Sequence, residues 1–163
     1  IQLKHFPHFC VMYNMYMILI HSVMRWLILI VLLWAVFTGW EGRTFKRPFR
    51  VSDRIAVSAA SVLSHVQLLL GFWLYMESPV VKGFWNERSF HWNDSLFFAL
   101  VHFGLMTTAI VLITIGSALA KRDMEDRKKF STVFRYYGIA LLIILLAIPW
   151  PFSPLAQRPL LRF

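Results

Sequence analysis

Residues 18–34 read ILIHSVMRWLILIVLLW, and the fold follows from how that stretch is interpreted. It is apolar enough to sit in lipid, yet it carries His21 and Arg25 four positions apart. Side chains at that spacing share one helix face, and a bilayer-embedded helix does not carry an imidazole and a guanidinium without compensation. The stretch is therefore a membrane span with one polar face. What that face meets is the question the rest of the sequence has to answer.

Composition makes the same point for the whole chain. Of 163 residues, 58% are hydrophobic and 17% aromatic, and the mean hydropathy is +0.60. The apolar runs reach the roughly 20 residues of helix that cross a hydrocarbon core of ~30 Å. This is the pattern of an integral membrane protein. The formal net charge of +9 does not indicate nucleic acid, because the basic residues sit in the gaps between apolar runs. There the positive-inside bias and anionic headgroups account for them. Cys10 is the sole cysteine, so the sequence offers neither an intrachain disulfide nor a thiolate pair to hold a cofactor.

Four crossings are expected, at about Tyr16–Trp40, Ile55–Met76, Asp94–Ala120 and Val133–Ile148. Ser52 and Asp53 are candidate N-caps for the second, Asn93, Asp94 and Ser95 for the third, and PWPFSP stops the fourth. Residues 1–15 are read as an N-terminal tail, 16–152 as the four-helix transmembrane domain and 153–163 as a C-terminal tail. Position 1 is Ile, which reads as a chain beginning after processing or inside a longer reading frame. The fold class is an all-α membrane protein, a four-helix up-down bundle.

Loop charge sets its direction. EGRTFKRPFRVSDR holds five basic and two acidic residues, KRDMEDRKKF five and three, and ESPVVKGFWNERSFHWNDS only two against three. The first and third loops are thus expected in the cytoplasm and both termini on the periplasmic side of a bacterial inner membrane. Arg158 and Arg162 count against this. Trp40, Trp85, Trp92 and Trp150 fall where an interfacial aromatic belt belongs.

At 1.5 Å per residue, His21 lies roughly 10 Å outside the midplane, Arg25 roughly 5 Å, His102 roughly 9 Å, and His65 near the centre with Gln67 one step further out. Separate helices therefore each place an imidazole inside the membrane, together with Arg25 and Gln67 and no acid in the same segments. Neutral imidazole is a common axial ligand of haem iron, and bundles hold cofactors between facing helices. Similar depth favours His21 with His102 as a ligand pair, followed by His65 with His102. Arg25 calls for an anion: a haem propionate, a lipid headgroup or a partner's carboxylate.

Plainer roles stand beside these. His21 and Arg25 can snorkel toward water, while His65, His102 and Gln67 can serve as interhelical hydrogen-bonding groups. Gly71, Gly104 and Gly116 suit close helix packing. HFPHFC, with His5, His8 and Cys10, has the residue types of a metal site but lies in the expected tail. His91 is a loop residue.

HSVMRW in the first helix, HVQLLLGFWLYMESP in the second, VHFGLMTTAIVLITIGSALAKR in the third and IPWPF closing the fourth resemble a family. It is a group of small four-helix membrane proteins of Bacteroidetes-type bacteria commonly labelled cytochrome b. The likeness spans about Tyr16 to Phe152, and the HxQxxLG segment more loosely resembles haem A synthase. The resemblance implies a b-type haem protein of the inner membrane with His21, His65 and His102 as the matching histidines. Such relatives often have Glu immediately before the third-helix histidine, where this chain has Val101.

The leading functional expectation is an electron-carrying subunit of a respiratory or photosynthetic chain, with haem b on two of the three histidines. Arg25 would neutralise a propionate, and Gln67 with the third histidine would line a quinone or second-haem site. The competing expectation is a cofactor-free structural accessory subunit within a larger membrane complex. In either case the partners are lipid and other subunits, without nucleic acid. An enzyme or transporter fits less well, since the spans hold no acid for proton coupling, no broken helix and no nucleophile–base arrangement.

Overall fold

The described residues of the computed structural model are 6–87, 90–123 and 125–152. They form helices α1 (Phe6–Phe45), α2 (Val51–Glu77), α3 (Pro79–Glu87), α4 (Asp94–Leu96), α5 (Phe103–Arg122) and α6 (Asp126–Ala147), with a π-helical segment, Phe97–His102, joining α4 to α5. There is no strand among the described residues. Four stretches, Met12–Phe45, Val51–Glu77, Asp94–Arg122 and Asp126–Ala147, are long and apolar enough to cross a membrane. The expected all-α four-helix architecture is what the chain adopts, as a multi-pass membrane protein.

Helix ends follow local chemistry. Lys46 adopts a left-handed backbone (φ 52°) just past α1, and Pro48 then prevents the helix from continuing. Arg50 caps α2, and Asp53 does not cap as expected but reaches back from the first turn, accepting the Arg50 N–H at 2.8 Å. Asn93 does cap, its Oδ1 accepting the Leu96 N–H at 2.8 Å. The helices run past the expected limits: α1 continues through Phe6–Met15, read from sequence as tail, and α6 begins at Asp126. The C-terminal tail 153–163 with Arg158 and Arg162, His5, and the side chains of His8 and Cys10 lie outside what is described.

The long helices form a ring. α6 packs on α1 and α5, α1 on α2, and α2 more loosely on α5. Small residues set the closest crossings: a Cβ at Gly39 would come within 2.9 Å of the Phe134 backbone nitrogen, and one at Gly116 would meet Tyr136. Gly104, by contrast, faces open space, so the close packing expected there is absent. Leu32, Ala35, Ala60, Ile113, Tyr137 and Ala140 fill the centre, while Leu27, Ile30, Leu33, Leu69 and Leu142 point outward. That inside-out distribution suits contact with lipid. Tyr137, wholly buried, donates its hydroxyl to Val57 O at 3.0 Å and ties α6 to α2.

At the basic end, Arg47 gathers the acids. It meets Asp53 bidentately at 2.6 and 2.8 Å and Glu41 at 2.8 Å, and stacks over the Phe130 ring. The Asp53 bond leads the interactions that hold the Arg47 proton above its ordinary pKa. Asp126 accepts the Phe49 N–H at 3.0 Å and pairs with Lys129 at 2.8 Å. These bonds lock the α1–α2 loop onto α6. At the opposite end α3 buries Val81 and Phe84 against Ala99 and Tyr75.

Candidate functional site: a histidine-lined cavity

A cavity of about 340 Å³ lies inside the half of the bundle away from the basic end, between α1, α2, the π segment with α5, and the close of α6. Its volume falls in the range of small-molecule sites. Along α2 the lining runs from Ser64 to Glu77, a length of about 20 Å at helical rise. Residues Pro79 to Val81 of α3 border it.

His21 and His102 both line this cavity, as do Arg25 and Gln67. α1 and α5 are not neighbours in the ring, so the two imidazoles approach from opposite corners of the bundle. They and Arg25 lie within electrostatic range of one another. The two histidines placed at similar depth from the sequence thus line one cavity. His65 is elsewhere. It sits on the exposed surface, its Nδ1 donating to Ser61 O at 2.7 Å and its Nε2 lying 3.2 Å from Thr114 Oγ1. The structure gives His65 the interhelical role and does not bring it to the other two histidines.

The orientation of His102 has a cause in the sequence. An α-helix leaves its last carbonyls without intrahelical donors, and after α6 the prolines remove the next candidates. The residue four beyond Leu145 is Pro149, and four beyond Ala147 is Pro151; neither has an N–H. Trp150 Nε1 donates to Leu145 O at 2.8 Å. His102 Nδ1 donates to Ala147 O at 2.8 Å. A neutral imidazole that donates through Nδ1 keeps its lone pair on Nε2. The π segment ends at His102, and Phe97 and Phe98 hold the ring at 5.9 and 5.8 Å. Single π turns inside α-helices recur at functional sites.

His21 is held differently. Its ring lies against Gly71, where an added Cβ would come within 3.2 Å of Cε1, so the glycine makes the room the imidazole occupies. Gln67 Nε2 donates to the His21 backbone carbonyl at 2.9 Å. The buried His21 Nδ1, Gln67 Oε1 and Ser64 Oγ have no hydrogen-bond partner within the described structure. Each belongs to a residue lining the cavity, and unsatisfied buried polar atoms are costly enough to call for an explanation. Arg25 lies one turn from His21 with its guanidinium 5.6 Å from the Trp26 ring centroid.

Among the described residues no group of three or more His, Cys, Asp or Glu converges as a metal cluster would. The donor set is two imidazoles with a nearby cation. Such a set suits a planar cofactor that brings its own equatorial ligands better than a bare ion, which takes about four protein ligands. Ser64 and Tyr75, also in the lining, were not legible as site residues. For Ser64 a signal existed, because Ser64, Gln67 and Gly71 recur at helical spacing as one stripe on α2.

No protein-family model, curated protein or solved structure matches this chain.

Proposed function

We propose that the chain is a b-type haem-binding membrane subunit that carries electrons, with His21 and His102 as the residues that would hold the haem iron. The observation that carries the proposal is the placement of these two imidazoles on opposite corners of one cavity, with His102 Nδ1 anchored on Ala147 O. An Nδ1 bond to a backbone carbonyl is the usual outer support of a metal-ligating histidine, fixing its tautomer and ring plane. The unpartnered His21 Nδ1 and the space provided by Gly71 are consistent with a site completed by a ligand. Arg25, in the same lining, supplies positive charge for the carboxylates that such a group bears. When bound, haem contributes one-electron redox chemistry; the chain contributes two ligands, a counter-charge and exclusion of water. Read with the loop charges, the site lies toward the periplasmic face of a bacterial inner membrane. The subunit would pass electrons within a respiratory or photosynthetic chain.

Haemin titrated into the purified protein tests the assignment. Saturation at one equivalent is expected, lost in His21→Ala and in His102→Ala and kept in His65→Ala. Unchanged binding in either of the first two variants would overturn the ligand pair. Absence of saturable haemin binding in the unmodified protein would leave the cofactor-free accessory subunit, a reading that the hydrogen bonds of His65 to Ser61 and Thr114 favour for that residue.

A further inference from the structure

Arg135 is not a loop residue. It sits within the span Asp126–Ala147, about 14 Å along the axis from Asp126. Ile139, Leu142 and Leu146 follow it at helical spacing, and all four side chains are exposed, so Arg135 stands on the lipid-facing side of α6. Ionised side chains inside a span ordinarily turn into the bundle and pair there. Arg135 does neither: within the described structure it has no ion pair and no hydrogen bond. The acids of this end are committed elsewhere, Glu41 and Asp53 to Arg47, Glu125 to Lys128 and Asp126 to Lys129.

α1 brings a second arginine to the same level. A Cβ at Gly39 would come within 2.9 Å of the Phe134 nitrogen, and one at Gly42 would meet the Phe130 ring, so the last turns of α1 run alongside this part of α6. A helical side chain leans toward its own N-terminus. Arg43, exposed like Arg135, reaches back along α1, and its guanidinium stands 5.8 Å from the ring centroid of Phe134, the residue before Arg135. On antiparallel α6 the same lean carries Arg135 toward the basic end, so the two cations approach one level from opposite directions. Snorkelling toward water accounts for one such arginine. Two at one level repel each other, and an anion beside them removes that cost. Ser131, one turn before Arg135, adds a hydroxyl. Gly138 leaves a notch in the apolar strip that follows, where an added Cβ would meet nothing within 4 Å.

We infer that Arg43, Ser131 and Arg135 hold the head group of one acidic phospholipid of the leaflet at the basic end, whose chains lie along α6 past Gly138 and Leu142. A phosphodiester accepts the forked pair of N–H groups that a guanidinium offers. A glycerol head leaves that phosphate its net negative charge, whereas a choline head sets an ammonium beside the arginines and cancels it. This is one site on one side of α6, distinct from the general attraction of loop lysines and arginines to a charged surface. It lies at the end of the bundle away from the histidine cavity and is independent of haem.

Native mass spectrometry of the purified protein, released from detergent micelles and titrated with dioleoylphosphatidylglycerol or dioleoylphosphatidylcholine, tests it. A single phosphatidylglycerol is expected, retained at least severalfold more tightly than phosphatidylcholine. The preference should fall about fivefold in Arg135→Gln and in Arg43→Gln, the worth of one basic residue near an anionic leaflet. It should persist in Arg54→Gln, which removes an exposed charge of the same end from α2. Equal retention of the two lipids by the unmodified protein, a comparison that needs no variant to fold, overturns the inference and leaves an acidic partner subunit as the counterpart of the arginines. Equal losses in all three variants overturn it too, because bulk charge then suffices, and so does an unchanged preference in Arg135→Gln. Displacement of the lipid by an equimolar amount of inorganic phosphate marks a soluble-anion site and overturns it as well.

Discussion

Replacing His21 and His102 separately by leucine in the haem-free protein should have unequal effects on stability. His102→Leu removes the donor to Ala147 O, a 2.8 Å bond, and the proline at position 151 cannot supply a substitute N–H. Leaving a buried carbonyl unsatisfied costs about 1–3 kcal/mol, and interhelical hydrogen bonds in membranes are worth about 0.6 to 1.7 kcal/mol. A loss of about 1–2 kcal/mol is expected. His21 Nδ1 has no hydrogen bond to lose, and relieving a buried, unpartnered polar atom offsets any lost ring packing against Gly71. His21→Leu should therefore be neutral, or stabilising by up to about 1 kcal/mol. The assay is unfolding in dodecyl maltoside with rising mole fraction of sodium dodecyl sulfate, followed by helical ellipticity. If His21→Leu is as damaging as His102→Leu, His21 is a structural residue and the reasoning that it is kept for a ligand fails.

Two further changes probe the frame that positions the site. Gly39→Ala brings a Cβ to 2.9 Å from the Phe134 backbone and should cost about 1–3 kcal/mol by overpacking, whereas Gly104→Ala meets nothing within 4 Å and should be neutral or gain up to about 1 kcal/mol from helix propensity; the same unfolding assay compares them. Asp53→Ala strips Arg47 of its bidentate partner and the Arg50 N–H of its acceptor. With Glu41 still in place the loss should be about 2–4 kcal/mol, read as a lower midpoint in the same titration.

Much of the fold was legible because lipid imposes simple rules: a span must be long, apolar and helical, and the runs around Leu29, Leu69, Ile110 and Leu142 satisfy all three. Helix limits were less legible. Asp126 begins α6 seven residues before the apolar run, because a helix in a membrane protein continues through charged turns when bonds such as Asp126 to Phe49 and Lys129 hold it. That His21 and His102 lie at a depth where both can line one cavity could be anticipated, since axial rise is fixed by the backbone. Azimuth could not: whether His65 looks inward or outward depends on how α2 rolls against α5, and Ser61, Ser64 and Gln67 put polar residues around more than one side of it. The π turn that ends at His102 carried no signal in FFALVH, and neither did α3, whose Val81 and Phe84 find their cover in α4, the π segment and α2. The His102 anchor lay in plain view as the spacing of prolines 149 and 151, but only the packing of α6 beside the π segment reveals which donor replaces the missing N–H.

The most direct measurement of the central claim is the reduced-minus-oxidised visible spectrum of the protein purified from membranes with its haem supply saturated. A low-spin b-type spectrum with two-imidazole ligation, abolished in His21→Ala and His102→Ala and intact in His65→Ala, is the result expected. Folded protein with no haem absorption, or a spectrum indifferent to both substitutions, would contradict it.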